Sequence, residues 1–507
     1  MDITVVFVHG YSVTNYSTYG ELPLRLKAEA LLNGLNITVT ELYLGRYISF
    51  EDEVCMDDIS RALDAALTDK LKPNERFVCI THSTGGPVLR DWWNKFLEKK
   101  VVNNTPNLVP SLSHLIMLAP ANFGSPLAQL GKERLSRVKA WVEGVEPGQK
   151  VLNWLELGSS EAWTLNKKWI DSDGSQIGSN GVFPFVITGQ SIDRKLYDHI
   201  NSYTGELGSD GVVRTAATNL KSTYIKLVQK TKIEAGNLII TGELEKTVYT
   251  ESPAVPFRVM KGKSHGGDKM GIMKSVKNTH DDTASQETVN AILECIQVKD
   301  MAGYDALKAK FENETAQVQK EELVEPKANI LSRNFIHDRY SQVIFRITDS
   351  QGNSITDYDL IFMGEKDIEN DDDDGENNLP EGFLADRQRN SKNIETITYF
   401  FNYDILNGTP EISGIRPALP GIKAIGFKVK PRPDKGFVRF MECKILANTE
   451  LLEKALKPNS TTMVDIVIHR VVSKDVVGLD ELKGNNMPDD NAGNFKKNVK
   501  PGDQFLN

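Results

Sequence analysis

The chain has 507 residues, of which 40% are hydrophobic and 25% are charged, and its formal net charge is −9 at pH 7. A single hydrophobic core rarely grows beyond about 250 to 300 residues, so this length predicts two domains of an ordinary globular protein. The mildly acidic charge gives no support for nucleic-acid binding, which requires a basic surface.

The ends and the cysteines bear on the compartment. The four cysteines, at positions 55, 79, 295 and 443, form no CxxC pair and have no histidine at metal-ligand spacing, so we expect free thiols. The first residues lack the basic region, long apolar region and cleavage site of a signal peptide, and no apolar run approaches membrane-spanning length. We expect cytoplasmic synthesis without a signal peptide; export by a signal-peptide-independent secretion system stays open.

Strands and helices alternate from the beginning of the chain. A near-continuous apolar strand over 3–8 suits a parallel strand that is covered on both faces. A helix over 21–33, a strand over 37–44 and a helix over 56–71 follow. This alternation predicts an α/β fold with a mostly parallel, doubly wound sheet, whose ligands bind at the carboxyl ends of the strands.

The next strand leads into the stretch on which the functional interpretation depends. An apolar run over 77–80 ends in Thr81-His82-Ser83-Thr84-Gly85, and Pro87 then marks the start of a helix. Such a strand-turn-helix pushes a serine hydroxyl past the strand end, beside the unpaired N–H groups of the helix N-terminus. Ser83 is therefore the candidate nucleophile.

This pentapeptide resembles the G-x-S-x-G nucleophile elbow of α/β-hydrolase-fold lipases and esterases, with Thr81 in place of the first glycine. The resemblance implies an oxyanion hole made by the backbone N–H groups of Thr84, next after the nucleophile, and of Tyr11, in the His-Gly-Tyr step after the first strand. Taken alone, each stretch also fits a plain strand-ending turn.

A strand over 114–118 empties into a turn-rich loop that contains Ser125. Lipases carry a similar loop, and both substrate contact and loop shaping suit Ser125. Residues 128–175 then break the strand-helix rhythm and hold four of the six tryptophans. This segment resembles a lipase cap or lid, and the tryptophans also fit the core of a helical subdomain.

Two later residues complete a predicted triad. Asp210 lies in Gly-Ser-Asp-Gly after the strand over 182–188, and it resembles the acid that orients the catalytic histidine. His265 lies in a glycine-rich loop after a last strand, where an α/β-hydrolase places its general base. The chain order Ser83, Asp210, His265 is the order of that fold. The rival acids are Asp193 and Asp198, the rival base is His280, and the remaining histidines are interpreted as structural or surface residues.

Short β-rich segments dominate the second half of the chain. The predicted organisation is an α/β-hydrolase domain over 1–300 with a cap insertion at about 128–175 and a β-hairpin excursion at about 222–258, a helical linker over 301–330, an all-β, sandwich-like domain over 331–480 and a tail over 481–507. An acidic run over 365–376 is expected to be a solvated loop, with calcium binding as the alternative.

The resemblance covers residues 1–300 and implies a serine hydrolase that cleaves carboxylic esters of lipids, of lipase or phospholipase A type, through an acyl-enzyme. It implies no metal or organic cofactor. The expected partners are a lipid or ester substrate, a membrane surface and a protein bound through the C-terminal domain, with no nucleic acid. Two alternatives stay open: an acyltransferase that uses the same triad, and a non-catalytic hydrolase-fold binding or effector protein.

Overall fold

The structure is a computed structural model, and it describes residues 2–8, 19–42, 44, 48, 51–72, 75–97, 111–129, 148–192, 208–279, 283–325, 335–364, 379–447 and 449–472. Within these ranges no helix combines the length and the apolar composition needed to cross a membrane. Elements are numbered in chain order over the described residues.

The strands are β1 Asp2–Val8, β2 Asn36–Leu42, β3 Phe77–His82, β4 Leu112–Leu118, β5 Phe183–Gly189, β6 Ser222–Glu234, β7 Asn237–Glu251, β8 Phe257–Met260, β9 Val324–Glu325, β10 Phe335–Ile336, β11 Tyr340–Asp349, β12 Tyr358–Gly364, β13 Leu384–Arg389, β14 Thr396–Asn402, β15 Ile425–Pro431, β16 Val438–Phe440, β17 Cys443–Ala447, β18 Ser460–Ile468 and β19 Arg470–Val472. The α-helices are α1 Leu22–Leu32, α2 Met56–Lys70, α3 Gly85–Trp92, α4 Gln149–Leu155, α5 Ser160–Ile170, α6 Thr215–Thr218, α7 Thr283–Ile296, α8 Met301–Glu321, α9 Tyr403–Asn407 and α10 Thr449–Ala455. A π-helical turn, Trp93–Leu97, continues α3.

The N-terminal sheet has six parallel strands in the order β2-β1-β3-β4-β5-β8. Successive side chains of its strands point to opposite faces, so each strand contributes to two cores. Cys79 and Leu115 pack with α2, α3, α4 and α5 on one face, whereas Ile80 and Ile116 pack with α1, α7 and α8 on the other. The predicted doubly wound α/β-hydrolase fold is confirmed.

The second large sheet has nine strands of mixed direction in the order β12-β15-β17-β7-β6-β18-β11-β14-β13. It curls over its own core, because Phe362 of β12 contacts two aromatic rings of β14, a strand near the other end of the order. The ring centroid of Phe362 lies 4.8 Å from that of Tyr399 and 5.1 Å from that of Phe401. A mostly C-terminal β domain is therefore confirmed, and a single curled sheet gives it its sandwich-like form.

The predicted hairpin excursion at 222–258 is a hairpin, formed by β6 and β7, but it does not stand apart. It lies at the centre of the nine-stranded sheet, where β6 pairs with β18 and β7 pairs with β17. The outer backbone edges of an isolated hairpin would lack hydrogen-bond partners, and the C-terminal strands supply them. Part of the predicted hydrolase domain thus belongs to the β domain.

The segment predicted as a linker over 301–330 begins with α8, which packs against the parallel sheet. Tyr304 donates a hydrogen bond to Pro184 O at 2.8 Å, and Val259 N donates to Thr315 Oγ1 at 3.0 Å. Buried residues recur along one side of the helix, including Phe311, while the other side exposes charged, polar and small residues. The helix is therefore part of a layer of the α/β unit, and the linker prediction is wrong over the residues of this helix, Met301–Glu321.

The predicted cap falls partly outside the described residues, which omit 130–147. Its described part contains α4 and α5, whose Trp154, Trp163 and Trp169 are buried in the core that α2 and α3 share. The Trp169 ring lies 6.4 Å from that of Trp93. These tryptophans hold helices against the sheet. The acidic run over 365–376 and the tail over 481–507 lie outside the described residues.

Candidate active site

Ser83 occupies a strained turn between β3 and α3. Its φ is +55°, in the left-handed region that costs a non-glycine residue about 1 to 3 kcal/mol. Backbone hydrogen bonds stabilise this conformation: Ser83 N donates to Leu118 O at 3.0 Å, and Ser83 O accepts from Gly86 N at 3.2 Å and from Ala121 N at 3.3 Å. The geometry is that of a nucleophile elbow.

Thr81, the departure from the elbow motif, lies inside β3, where it pairs with Val8 and Met117. A β-branched residue suits this extended backbone, so a glycine is not required. The hydroxyl is buried, and no described residue is within hydrogen-bonding reach of Thr81 Oγ1. Threonine is therefore compatible with the turn but leaves one buried polar atom without a partner in the part of the chain that the structure describes.

The three predicted triad residues meet at the carboxyl ends of the parallel strands. His265, in the loop after β8, places Nε2 3.0 Å from Ser83 Oγ and Nδ1 2.9 Å from Asp210 Oδ2. His265 is 5% exposed and Asp210 is fully buried. Because the carboxylate accepts at Nδ1–H, His265 Nε2 carries the lone pair that faces the serine hydroxyl.

The turn around Asp210 fixes the second carboxylate oxygen. Asp210 Oδ1 accepts hydrogen bonds from Val212 N at 3.0 Å and Val213 N at 2.8 Å. The backbone of the same turn also holds the imidazole loop, because His265 N donates to Asp210 O at 2.9 Å. Both oxygens of Asp210 are therefore oriented before any substrate binds.

His82 is a site residue that the sequence did not identify. Its Nε2 donates to His265 O at 3.0 Å, and the two imidazole centroids lie 4.8 Å apart. His82 is 7% exposed and precedes Ser83 directly, so it connects the elbow to the loop of the candidate base. The contact joins residues 183 positions apart, so no local pattern reveals it.

Ser125 shapes the site and does not face it. It is fully buried, its hydroxyl donates to Val212 O at 2.6 Å, and it accepts from Leu127 N at 3.2 Å. Of the two interpretations of Ser125, the contacts support loop shaping, since its hydroxyl binds one backbone group of its own loop and one of the turn after Asp210.

A buried polar network supports the elbow from α3. Arg90 Nη1 donates to Asn122 Oδ1 at 3.1 Å and to Asn166 Oδ1 at 3.0 Å. Burial lowers the pKa of Arg90 to about 9. Asn122 belongs to the loop whose Ala121 N donates to Ser83 O at 3.3 Å, so the network joins α5 to the nucleophile turn.

The remaining predicted residues divide into two groups. Thr84 is buried at the N-terminal end of α3, directly after Ser83, as the predicted oxyanion site requires. Tyr11, its predicted partner, lies outside the described residues, and so do the rivals Asp193, Asp198 and His280.

Comparisons with known proteins add the family. The structure of phospholipase PlaB from Legionella pneumophila is 40% identical, with a TM-score of 0.81, over 97% of this chain and 98% of that one. PlaB in complex with thio-NAD matches at 40% identity and a TM-score of 0.79, over 96% and 98% of the two chains. Bacillus licheniformis lipase BlEst2 in mature form is 15% identical, with a TM-score of 0.29, over 43% and 78%. No protein-family model and no curated protein matches the chain. At 40% identity over nearly the whole of both chains, the protein belongs to the family of phospholipase PlaB.

Proposed function

We propose that the protein is a phospholipase that cleaves a carboxylic ester of a membrane lipid through an acyl-enzyme on Ser83. Family membership makes the chain a carboxylic ester hydrolase. The observation that carries the finer proposal is the unbroken series of contacts from Ser83 Oγ through His265 to Asp210, at 3.0 and 2.9 Å. A serine alone is a weak nucleophile, and such a series supplies its general base.

The first half-reaction acylates the enzyme. The Ser83 hydroxyl proton moves to His265 Nε2 as Oγ forms a bond to the ester carbonyl carbon. Asp210 stabilises the imidazolium that forms. His265 then gives the proton to the departing alcohol oxygen as its bond to carbon breaks, which leaves the fatty acyl group on Ser83 and releases a lysophospholipid.

The second half-reaction repeats these steps with water. A water molecule loses a proton to His265 Nε2 while its oxygen attacks the acyl carbon. The bond to Ser83 Oγ breaks, Oγ takes the proton back, and a fatty acid leaves. In both halves we assign the oxyanion to the backbone N–H of Thr84, at the positive end of α3, and to that of Tyr11.

The choice of phospholipid over other esters rests on PlaB, which is a phospholipase. We propose that the protein meets this substrate at a membrane surface, because phospholipids reside there. The complex of PlaB with thio-NAD makes a nicotinamide dinucleotide a further ligand to test.

The test compares wild type with Ser83→Ala on vesicles of a phospholipid with a labelled acyl chain, and Ser160→Ala, an exposed serine of α5, serves as the control. We expect the wild type and the control to release fatty acid and Ser83→Ala to release none. Retained turnover in Ser83→Ala would remove Ser83 as the nucleophile. Added short-chain alcohol separates the alternatives, since an acyltransferase would form the alkyl ester in preference to the free acid.

A further inference from the structure

The turn that carries Asp210, residues 208–214 and called the acid loop here, is held from outside the parallel sheet. Arg214, at its end, is fully buried and forms an ion pair with Asp386 of β13. The Arg214 guanidinium carbon also lies 4.2 Å from the ring centroid of Phe400 in β14. Both partners belong to the nine-stranded sheet, so that sheet fixes one end of the acid loop.

The same sheet also fixes the other end. Gly208 has a φ of +73° and lies so close to the Tyr340 ring that a Cβ at this position would overlap it. The Tyr340 and Phe400 rings stack with centroids 4.7 Å apart and planes 9° apart. One aromatic pair therefore contacts the acid loop at both ends, through Gly208 and through Arg214.

Strand β13 presents one face to the hydrolase part of the chain. Alternate residues of a strand share a face, and three alternate positions along β13 and its end contact residues of the hydrolase part. Asp386 pairs with Arg214, Gln388 Nε2 donates to Gln129 Oε1 at 2.6 Å, and Asn390, just past the strand end, donates to Leu157 O at 3.0 Å. The ion pair is thus part of a continuous interface.

The acid loop is short and internally bonded, so a shift at Arg214 reaches Asp210. Thr215 N donates to Gly208 O at 2.9 Å, and Asp210 N donates to Val213 O at 3.1 Å. Val213 N in turn donates to Asp210 Oδ1 at 2.8 Å. The residue before Arg214 therefore binds the carboxylate directly.

We propose that Arg214 is a positioning residue for the triad: with Asp386, Phe400 and Tyr340 it holds the acid loop so that Asp210 stays within hydrogen-bonding reach of His265. The inference rests on the proposed function, because it assigns to the β domain a role in the activity of that same triad. A buried arginine is costly without a counter-ion, so neutralising Asp386 pulls Arg214 out of its place.

The experiment uses the full chain with Asp386→Asn, since the Asp386 side chain is 38% exposed and tolerates an isosteric change. Asp386→Glu keeps the charge. The control is Asp359→Asn, because Asp359 of β12 is a partly exposed aspartate of the same sheet whose ion-pair partner, Arg432, is half-exposed and not buried. Arg214→Lys, which keeps the charge but loses the planar fork and the ring stacking, is the second variant.

We expect Asp386→Asn to lower kcat between about 10-fold and 100-fold with little change in KM, which is the scale of a misplacement of about 1 Å in an active site. The acidic limb of the pH profile of kcat/KM moves to lower pH, since a displaced Asp210 no longer stabilises the His265 imidazolium. Asp386→Glu should retain most of the wild-type activity, Arg214→Lys should retain part of it, and Asp359→Asn should match the wild type.

Two results would overturn the proposal. One is an Asp386→Asn enzyme with wild-type kcat and pH profile. The other is a loss of activity that follows a fall in melting temperature without a shift of the pH limb, which indicates a purely structural pair. Labelling of Ser83 by a fluorophosphonate and turnover by Ser83→Ala are measured alongside. Wild-type turnover that persists in Ser83→Ala would be the failure of the proposed function, and it is distinct from both results.

Discussion

Asp210→Asn tests the triad more sharply than removal of the side chain, because the structure dictates how the new amide must point. Two backbone N–H groups, from Val212 and Val213, converge on Asp210 Oδ1. The amide oxygen of asparagine must take that position, since an NH2 group would face two donors. The amide nitrogen then occupies the place of Oδ2, 2.9 Å from His265 Nδ1, and donates to it.

The consequence is the wrong imidazole tautomer. With Nδ1 accepting, the proton of neutral His265 lies on Nε2 and faces Ser83 Oγ, which therefore loses its proton acceptor. Inversion of this kind in a serine triad lowers kcat by about 10⁴-fold, or about 5 kcal/mol of transition-state stabilisation. The fold is preserved, because the substitution is isosteric and keeps both hydrogen bonds from the turn.

The assay is the initial rate of fatty-acid release from phospholipid vesicles at pH 7, with the melting temperature measured on the same samples. Asp268→Asn is the control, since Asp268 is an exposed aspartate of the loop that carries His265. We expect its kcat to equal that of the wild type. A loss of less than tenfold in Asp210→Asn, with an unchanged melting temperature, would refute the tautomer argument and the assignment of Asp210 as the acid.

Substitutions at three further residues probe other parts of the molecule. His82→Phe removes the donor to His265 O and should lower kcat by about tenfold, whereas His82→Gln, which keeps a donor, should recover most of it; equal rates for both variants would contradict a positioning role. Thr81→Val should raise the free energy of unfolding by about 1 kcal/mol in urea titrations, because it replaces a buried hydroxyl that has no hydrogen-bond partner among the described residues by a methyl group; an unchanged or lower free energy of unfolding would contradict this. Burial lowers the pKa of His114 to about 4 from 6.5, so its contribution to stability is complete above pH 6.5 and is lost as the pH falls, by about 3 kcal/mol near pH 4. The free energy of unfolding from urea titrations should therefore be lower at pH 4.5 than at pH 7 in the wild type, and this difference should be smaller in His114→Gln. An equal difference in the two proteins would contradict the prediction.

The residues of the candidate site could be predicted from the sequence because each of them lies in a recognisable local pattern. Ser83 lies at a strand-helix junction, Asp210 in an Asp-Gly turn and His265 in a glycine-rich loop, and each type of residue falls in the chain order that the fold requires. The contacts that bring them within 2.9 and 3.0 Å of one another are tertiary contacts, which the spacing of the residues in the sequence does not reveal.

The parts that the sequence did not predict depend on distant contacts. The strand pattern of β6 is visible, but its pairing with β18 joins residues roughly 240 positions apart, and a strand pattern does not name its partner. Likewise, α8 exposes charged, polar and small residues over most of its surface, and only a narrow stripe of buried residues, Tyr304, Leu307, Phe311 and Thr315, marks it as part of the core. His82 and Arg214 act through partners 183 and 172 positions away.

The central claim is that the acyl group of a phospholipid passes through Ser83. The most direct test is to quench a reaction on acyl-labelled phospholipid vesicles with acid within the first turnovers and to locate the label by peptide mass spectrometry. We expect an acyl ester on the peptide that contains Ser83 in the wild type and none in Ser83→Ala. Label on another residue, or full turnover by Ser83→Ala, would contradict it.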